Sequence, residues 1–83
     1  MYKVLLTNEG EKQLKSLDHR YQKAIAQGLK RLAQNPKAGA PLRRELKGKY
    51  KLRVSRYRII YEFDYGKKII WILTIDHRKD VYR

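Results

Sequence analysis

The pattern of apolar positions in the first part of the chain predicts one strand followed by two helices. A strand is predicted over residues 2–7, and Asn8, with Glu11 three positions later, is typical of a capping box that opens a short helix. Asp18 is placed to cap a second helix. The apolar residues of that helix recur with a helical spacing, as Tyr21, Ile25, Leu29 and Leu32. The two helices should form a hairpin, and Asn35–Pro36 ends the second one.

Three later runs are rich in the β-branched and aromatic residues that favour strands. They span residues 50–54, 57–63 and 68–75. Residues 64–66, Asp-Tyr-Gly, are typical of a hairpin turn, whereas residues 55–56 lack the Gly or Asn that a tight turn prefers. The order β-α-α-β-β-β predicts an α+β fold, in which a two-helix hairpin packs on one face of a mostly antiparallel four-stranded sheet. The other face of that sheet is expected to be open.

Composition adds a strong positive charge to this picture. The 83 residues suffice for one domain, 1–83, and 21 Lys and Arg against 8 Asp and Glu give a net charge of +13. Charge of this size opposes folding unless a polyanion or an acidic partner offsets it. A basic surface that served solubility alone would need a net charge of only roughly 2 to 8. The expected partner is therefore negatively charged.

Targeting and membrane signals are missing from the pattern. The first apolar run, residues 4–6, is shorter than the roughly 7 to 15 residues of a signal-peptide core. The longest run, residues 69–73, is also short, because spanning a membrane takes about 20 apolar residues. A cytoplasmic protein is expected. The absence of Cys excludes disulfides, thiolate nucleophiles and Cys-ligated zinc.

Positive charge is concentrated between the connector at residues 37–41 and the start of the second predicted hairpin strand. Leu42 and Leu46 are spaced to hold a basic loop against the core. Only Glu45 opposes the basic residues of this segment. Those residues are Arg43, Arg44, Lys47, Lys49, Lys51, Arg53, Arg56 and Arg58.

The period of two in a strand places part of this charge on the open face of the sheet. Lys51 and Arg53 project from that face, and Arg58 joins them if its strand pairs with theirs. The alternative is an edge strand that carries Lys and Arg to discourage aggregation. Tyr57 and Tyr61 lie on the opposite side of their strand, where core packing is favoured over base stacking.

The sequence lacks a Gly-rich phosphate loop, a His-x-x-x-His metal spacing and a nucleophile elbow. RNA cleavage needs neither a metal nor paired histidines, because the neighbouring 2′-OH is a built-in nucleophile. Cations around the scissile phosphate would stabilise the extra negative charge of the transition state. Tyr82, His77 or Lys51 would move protons, although a single His in a basic segment is more often simply solvated.

Three segments together resemble the RelE/ParE superfamily of toxins. They are an L-x-G loop within Leu46–Val54, a Y-R-I-I-Y strand within Tyr57–Glu62 and a terminal H-R-x-x-V-Y within Ile75–Tyr82. The RelE branch is the more similar one. The resemblance implies a toxin of a type II toxin–antitoxin pair that enters the ribosomal A site and cuts mRNA without a metal or other cofactor. It implies an acidic antitoxin as the protein partner, in agreement with the net charge.

The resemblance also assigns roles to individual residues. It implies that Lys51 and Arg53 are the basic strand pair and that Arg58 is the transition-state arginine. A second arginine and a tyrosine of the family fall on Arg78 and Tyr82, and His77 stands where other members carry a different basic residue. Arg43, Arg44, Lys47, Lys49, Arg56 and Lys79 are expected to bind RNA around these catalytic residues. No C-terminal toxin helix is expected after Tyr82, so the antitoxin should wrap the sheet or cover the basic face directly.

Two other functions fit the same sequence. The ParE branch shares the fold but poisons DNA gyrase and cuts no RNA, and ParE-like chains generally lack the full Lys, Arg, Arg and Tyr set. A basic RNA-binding module without catalysis would also satisfy the charge and the aromatic content. The complete set of residues favours the ribonuclease.

Overall fold

The fold of residues 1–77, which the computed structural model describes, alternates helices and strands as the periodicity predicts. Its elements are β1 (Lys3–Leu6), α1 (Asn8–Lys15), α2 (His19–Gln34), β2 (Ala40–Pro41), a 3-10 helix (Arg44–Leu46), β3 (Tyr50–Val54), β4 (Tyr57–Asp64) and β5 (Ile69–His77). The α+β class, the helix pair on one face of the sheet and the order of the main elements are confirmed.

The sheet has five strands where four were predicted, in the order β1-β5-β4-β3-β2. The extra strand is Ala40–Pro41, which lies in the predicted connector and pairs antiparallel with Lys51 and Tyr50. Its Pro is tolerated because the strand forms the edge of the sheet, where an N–H is not required. β1 runs parallel to β5, and the other pairs are antiparallel. Because β2 covers β3 at Lys51, that part of β3 is not an edge strand.

The core lies between α2 and the sheet. Ile25 and Leu32 of α2 are fully buried, whereas Tyr21 and Leu29, at the margins of the same stripe, are half-buried. Leu52 of β3 and Ile59 of β4 meet them from the sheet. Since successive residues of a strand point to opposite faces, this burial fixes the face that carries the helices and leaves the alternate residues on the open face.

The first helix begins one residue earlier than the capping-box prediction requires. Thr7, not Asn8, is the N-cap, and its hydroxyl accepts a hydrogen bond of 3.1 Å from the Gly10 N–H. The same hydroxyl lies 3.0 Å from the Leu73 carbonyl oxygen, to which it donates. Thr7 therefore joins the start of α1 to β5, a tertiary role that Asn8, already inside the helix, does not have.

The loop before β3 is held differently from the prediction. Leu42 is half-buried, but 47% of Leu46 is exposed, so the expectation that both leucines pin the loop is wrong for Leu46. A buried Tyr61 holds the connector to the sheet instead. Its hydroxyl donates to the Pro36 carbonyl at 2.6 Å and accepts from the Gly39 N–H at 3.0 Å. Within residues 1–77, neither helix has the length and apolar character to cross a membrane.

Candidate functional site

Three of the predicted cations meet on the open face of the sheet. Arg53 of β3 and Arg58 of β4 are direct cross-strand partners, and Lys51 lies two residues from Arg53 on the same face. Like charges placed directly opposite each other destabilise a sheet. The pairing of Arg53 with Arg58 therefore does not stabilise the fold. Such a pairing is expected if the two arginines bind an anion.

Arg58 is largely enclosed, whereas Arg53 is exposed. Only 16% of the Arg58 side chain is exposed, and its Nη2 lies 3.7 Å from Oδ2 of Asp76, its cross-strand partner on β5. The other carboxylate oxygen, Oδ1, lies 3.0 Å from the Thr74 hydroxyl. Asp76 is therefore an ion-pair partner of the guanidinium and is itself positioned by Thr74.

The sequence alone did not assign Asp76 this role. The residue stood out only as a neighbour of His77, and the two point to opposite faces of β5. What places Asp76 beside Arg58 is the register of β4 on β5, together with the irregularity between Ile60 and Tyr61. That register depends on tertiary pairing, which no local pattern of residues 68–77 reveals.

His77 is not brought together with the basic strand pair. It pairs across the sheet with Tyr57, and the two rings meet edge-on with centroids 5.3 Å apart. Tyr57 packs against the core and against Tyr21 of α2, at 5.2 Å. His77 therefore lies on the helix-bearing side, across the sheet from Lys51, Arg53 and Arg58.

The predicted RNA-binding residues form a basic rim at two places. Arg43, Arg44 and Lys47 are exposed on the loop around the 3-10 helix. Lys49 is partly exposed, with its Nζ 3.9 Å from Glu62 Oε1. Arg56 lies in the turn between β3 and β4, with its guanidinium 6.0 Å from the Tyr21 ring centroid. Arg78, Lys79 and Tyr82 lie outside the described residues.

The aromatic stripe of β4 serves the core, as favoured from the sequence. Tyr61 is fully buried and stacks on Tyr50, with ring centroids 5.6 Å apart. Burial raises the pKa of the Tyr61 phenol above its ordinary value, although the hydrogen bond from Gly39 acts in the opposite direction. Tyr61 is thus held neutral and structural. No group of three or more His, Asp or Glu side chains that could hold a metal ion occurs within residues 1–77.

Known toxins are similar to this chain in both sequence and fold. A family model described as the ParE toxin of the type II toxin–antitoxin system, parDE, matches residues 4–82. Toxin RelG of Mycobacterium tuberculosis is 36% identical over 84 residues, covering 99% of this chain and 97% of the relative.

Solved toxin structures share the fold of this chain. A chain of the toxin–antitoxin complex RelBE2 from Mycobacterium tuberculosis is 34% identical, with a TM-score of 0.86 over 93% of this chain and 98% of the other. The isolated E. coli RelE toxin has a TM-score of 0.79 over 93% of this chain and 84% of its own, at 16% identity. At that identity the likeness to RelE is one of fold alone.

Proposed function

The chain belongs to the RelE/ParE superfamily of type II toxin–antitoxin toxins, and we propose that it is a ribosome-dependent endoribonuclease, an mRNA interferase that cuts mRNA in the A site and thereby inhibits translation. The observation that carries this proposal is the convergence of Lys51, Arg53 and Arg58 on one open face. Three cations held on neighbouring strands suit a phosphodiester whose charge increases during the reaction.

The proposed reaction is attack by the 2′-OH of the preceding nucleotide on the scissile phosphorus. The P–O5′ bond breaks, and the products carry a 2′,3′-cyclic phosphate and a 5′-OH. Arg58, ion-paired with Asp76, would donate to the non-bridging oxygens as they gain charge, with Arg78 as a second donor. Because such preorganised donors typically contribute about 10²- to 10³-fold in rate, Arg58→Ala should lose a factor of that size.

Proton transfer is the second requirement of the reaction. A base must remove the 2′-OH proton, and an acid must protonate the departing 5′ oxygen. Lys51, on the open face, is one candidate for this proton transfer, and Tyr82 is the tyrosine that the family resemblance assigns. His77 is the weaker candidate of the three, because it lies on the other side of the sheet from Arg58.

An acidic antitoxin is the proposed protein partner in the cytoplasm. Several similar structures are complexes of a toxin with its antitoxin, among them RelBE2 and the intact E. coli RelBE complex. The net charge of +13 favours such a partner. Covering the basic face would block RNA and reduce the self-repulsion of the toxin at the same time.

A second function has one specific observation in its favour. The matching family model carries the description of a ParE toxin, and the family resemblance implies that the ParE branch poisons DNA gyrase. The clustering of Lys51, Arg53 and Arg58 on one face favours the ribonuclease over the gyrase inhibitor. The gyrase inhibitor therefore defines the alternative outcome of the test.

The test is to induce the chain in cells, with and without a co-expressed antitoxin, and to map mRNA 5′ ends on translating ribosomes. Cuts in phase with codons are expected for the wild type, and they should vanish for Arg58→Ala, Arg78→Ala and Tyr82→Phe. Lys12→Ala is the matched control, because Lys12 is a cation of α1 outside the proposed site. Intact mRNA together with stalled gyrase complexes would contradict the proposal, and unchanged growth would favour a binding module.

A further inference from the structure

We propose that Trp71 and Glu62 form a subsite for one nucleobase of the bound RNA strand, with guanine preferred. The inference rests on the proposed function in that the same strand is expected to reach the basic residues Lys51, Arg53 and Arg58. It adds a separate element, a place on the open face where base identity is sensed.

Trp71 is exposed at an unusual position. It lies within β5, where its cross-strand partners are Leu5 of β1 and Glu62 of β4. Its neighbours Ile70 and Ile72 are fully buried, yet Trp71 is 39% exposed. Several RNA-binding folds stack an unpaired base on an aromatic ring that is exposed on the open face of a sheet.

A cavity of about 680 Å³ adjoins this ring. Its wall includes Trp71, Glu62, Asp64 and Gly48. The volume falls within the range of small-ligand pockets, roughly 300 to 1,000 Å³. A volume of this size leaves room for one nucleobase beside the indole, with an edge toward Glu62.

Glu62 is the carboxylate available to such a base. Asp64 Oδ1 already accepts a hydrogen bond of 3.1 Å from the Lys67 N–H in the turn. The Glu62 side chain is 45% exposed, and Lys49 Nζ lies 3.9 Å from its Oε1, an ion pair that is longer than a hydrogen bond. An ionised carboxylate only accepts hydrogen bonds. Guanine suits it best, because N1–H and the 2-amino group stand side by side on one edge and donate to both oxygens.

The charge of the cavity also favours a base over a phosphate. The wall carries the carboxylates of Glu62 and Asp64 and one cation, Lys67. The carboxylates repel the RNA backbone, whereas Lys67, and Lys49 beside Glu62, can hold the adjoining phosphate. A cationic side chain of a protein partner is the rival occupant. The net charge of +13 repels a cation on approach and attracts a nucleic-acid strand.

The subsite continues the basic face along a single strand. Arg58, Ile60 and Glu62 alternate on the open side of β4, so Glu62 lies about 13 Å from Arg58 at roughly 3.3 Å per residue. A few nucleotides of an extended strand cover this distance. Ile60 lies between them and is buried, with Lys51 as its cross-strand partner, so the strand would pass over the longer side chains beside it.

Trp71 is the only tryptophan of the chain, so its fluorescence reports on this subsite alone. The probes are 2′-O-methyl RNA tetranucleotides of uridine in which one position is G, A, C or U, because they lack the attacking hydroxyl and cannot be cut. Binding of the G probe should quench the fluorescence and be about 5- to 150-fold tighter than binding of the all-U probe, the range expected for a bidentate contact. Glu62→Gln should remove most of this preference. The matched control, Asp64→Asn, should retain it.

Anisotropy of labelled probes provides a second measurement for variants that lack the fluorophore. Trp71→Ala should weaken binding of the G probe about 5- to 150-fold, the range measured for loss of base stacking, and Trp71→Phe should weaken it less. Equal affinity for all four probes would overturn the inference, as would probe binding without quenching. Quenching by an arginine-rich peptide but by none of the oligonucleotides would assign the cavity to a protein partner. Since no probe is cleaved, base preference without ribonuclease activity would refute only the proposed function.

Discussion

At the scale of single residues, Tyr61 links the connector to the sheet. Its hydroxyl is the shared partner of the Pro36 carbonyl and the Gly39 N–H, both of which belong to the segment that leads into β2. Gly39 is required there, since a Cβ would lie 2.5 Å from the Lys51 carbonyl oxygen. The position of Lys51 on the open face therefore depends on a tyrosine on the other side of the sheet.

Removing the Tyr61 hydroxyl should destabilise the protein. Tyr61→Phe leaves a donor and an acceptor without their partner, which typically costs about 1–3 kcal/mol. Urea unfolding monitored by circular dichroism measures this loss. Tyr65→Phe is the control, because Tyr65 is 57% exposed and the expected change is within about 0.5 kcal/mol. Equal effects of the two substitutions would contradict the role given to Tyr61.

Alkaline pH should remove part of the stability that the Tyr61 hydroxyl contributes to the fold. Burial raises the pKa of Tyr61 in the folded state, whereas an unfolded tyrosine titrates near pH 10. Below that pH both states keep the proton, so the contribution is complete. As the pH rises above about 10, the unfolded state loses its proton first and is favoured. The difference in unfolding free energy between wild type and Tyr61→Phe should therefore shrink above pH 10, and a constant difference from pH 9 to 11 would contradict the shift.

At the scale of elements, the periodicities predicted the helices and long strands well because each carries a local signal. The irregularity in the pairing of β5 with β4 has no such local signal in the sequence. Strict alternation would place Ile69, Trp71, Leu73 and Ile75 on one face. The register shift between Ile60 and Tyr61 instead allows Ile72 and Ile75 both to be buried, while Trp71 and Asp76 face the open side. Neither Asp76 nor Trp71 could therefore be assigned to the site from sequence.

Thr7 and the short strand β2 escaped prediction for a related reason. Thr7 was assigned to the end of the predicted strand 2–7 and is followed by a better-known capping sequence, yet its hydroxyl donates to the Leu73 carbonyl on a distant element. Ala40–Pro41 has no strand propensity and is extended only because β3 is there to pair with it. Long-range partners decide both positions.

Close packing of α2 on β3 depends on Gly28. A Cβ at this position would lie 2.8 Å from Val54 Cγ2. Gly28→Ala gains about 1 kcal/mol of helix propensity, but overpacking typically costs about 1–3 kcal/mol. In thermal unfolding the substitution should therefore be destabilising or close to neutral. A stabilisation by the full helix propensity of about 1 kcal/mol is not expected.

A double-mutant cycle isolates the contact. Val54→Ala makes room, so Gly28→Ala should be more favourable in that background by about 0.5–3 kcal/mol. Gln27→Ala, at an exposed neighbouring position of α2, is the matched control and should be additive with Val54→Ala. An additive Gly28→Ala and Val54→Ala pair would show that the helix does not approach the strand as described.

For the molecule as a whole, the net charge of +13 is suited to binding negatively charged partners. Most of the +13 should act as general attraction to RNA and to an acidic antitoxin, while the residues on the open face carry the proposed chemistry. The sequence established this division only through the family resemblance. The structure adds that Lys51, Arg53 and Arg58 share one face and that His77 does not.

Affinity for ribosomes or RNA should fall steeply from low to moderate salt. Each phosphate contact made by Lys or Arg releases counterions, so log K decreases linearly with log salt, by roughly 0.7 to 0.9 per contact. Substituting Arg43, Arg44 and Lys47 together by Gln should reduce this slope by about 2 to 3 units. Filter binding across a salt series measures it, and an unchanged slope would exclude the loop from the binding surface.

The open face is proposed to cut RNA through the neighbouring 2′-OH. The most direct measurement uses purified toxin and a ribosome complex with a defined mRNA codon in the A site, and it identifies the chemical ends of the products. We expect a cut that leaves a 2′,3′-cyclic phosphate and a 5′-OH. Arg58→Ala should slow it about 10²- to 10³-fold, and a single 2′-deoxy substitution before the scissile bond should abolish it. An uncut mRNA, or cleavage that persists with the 2′-deoxy substrate, would contradict it.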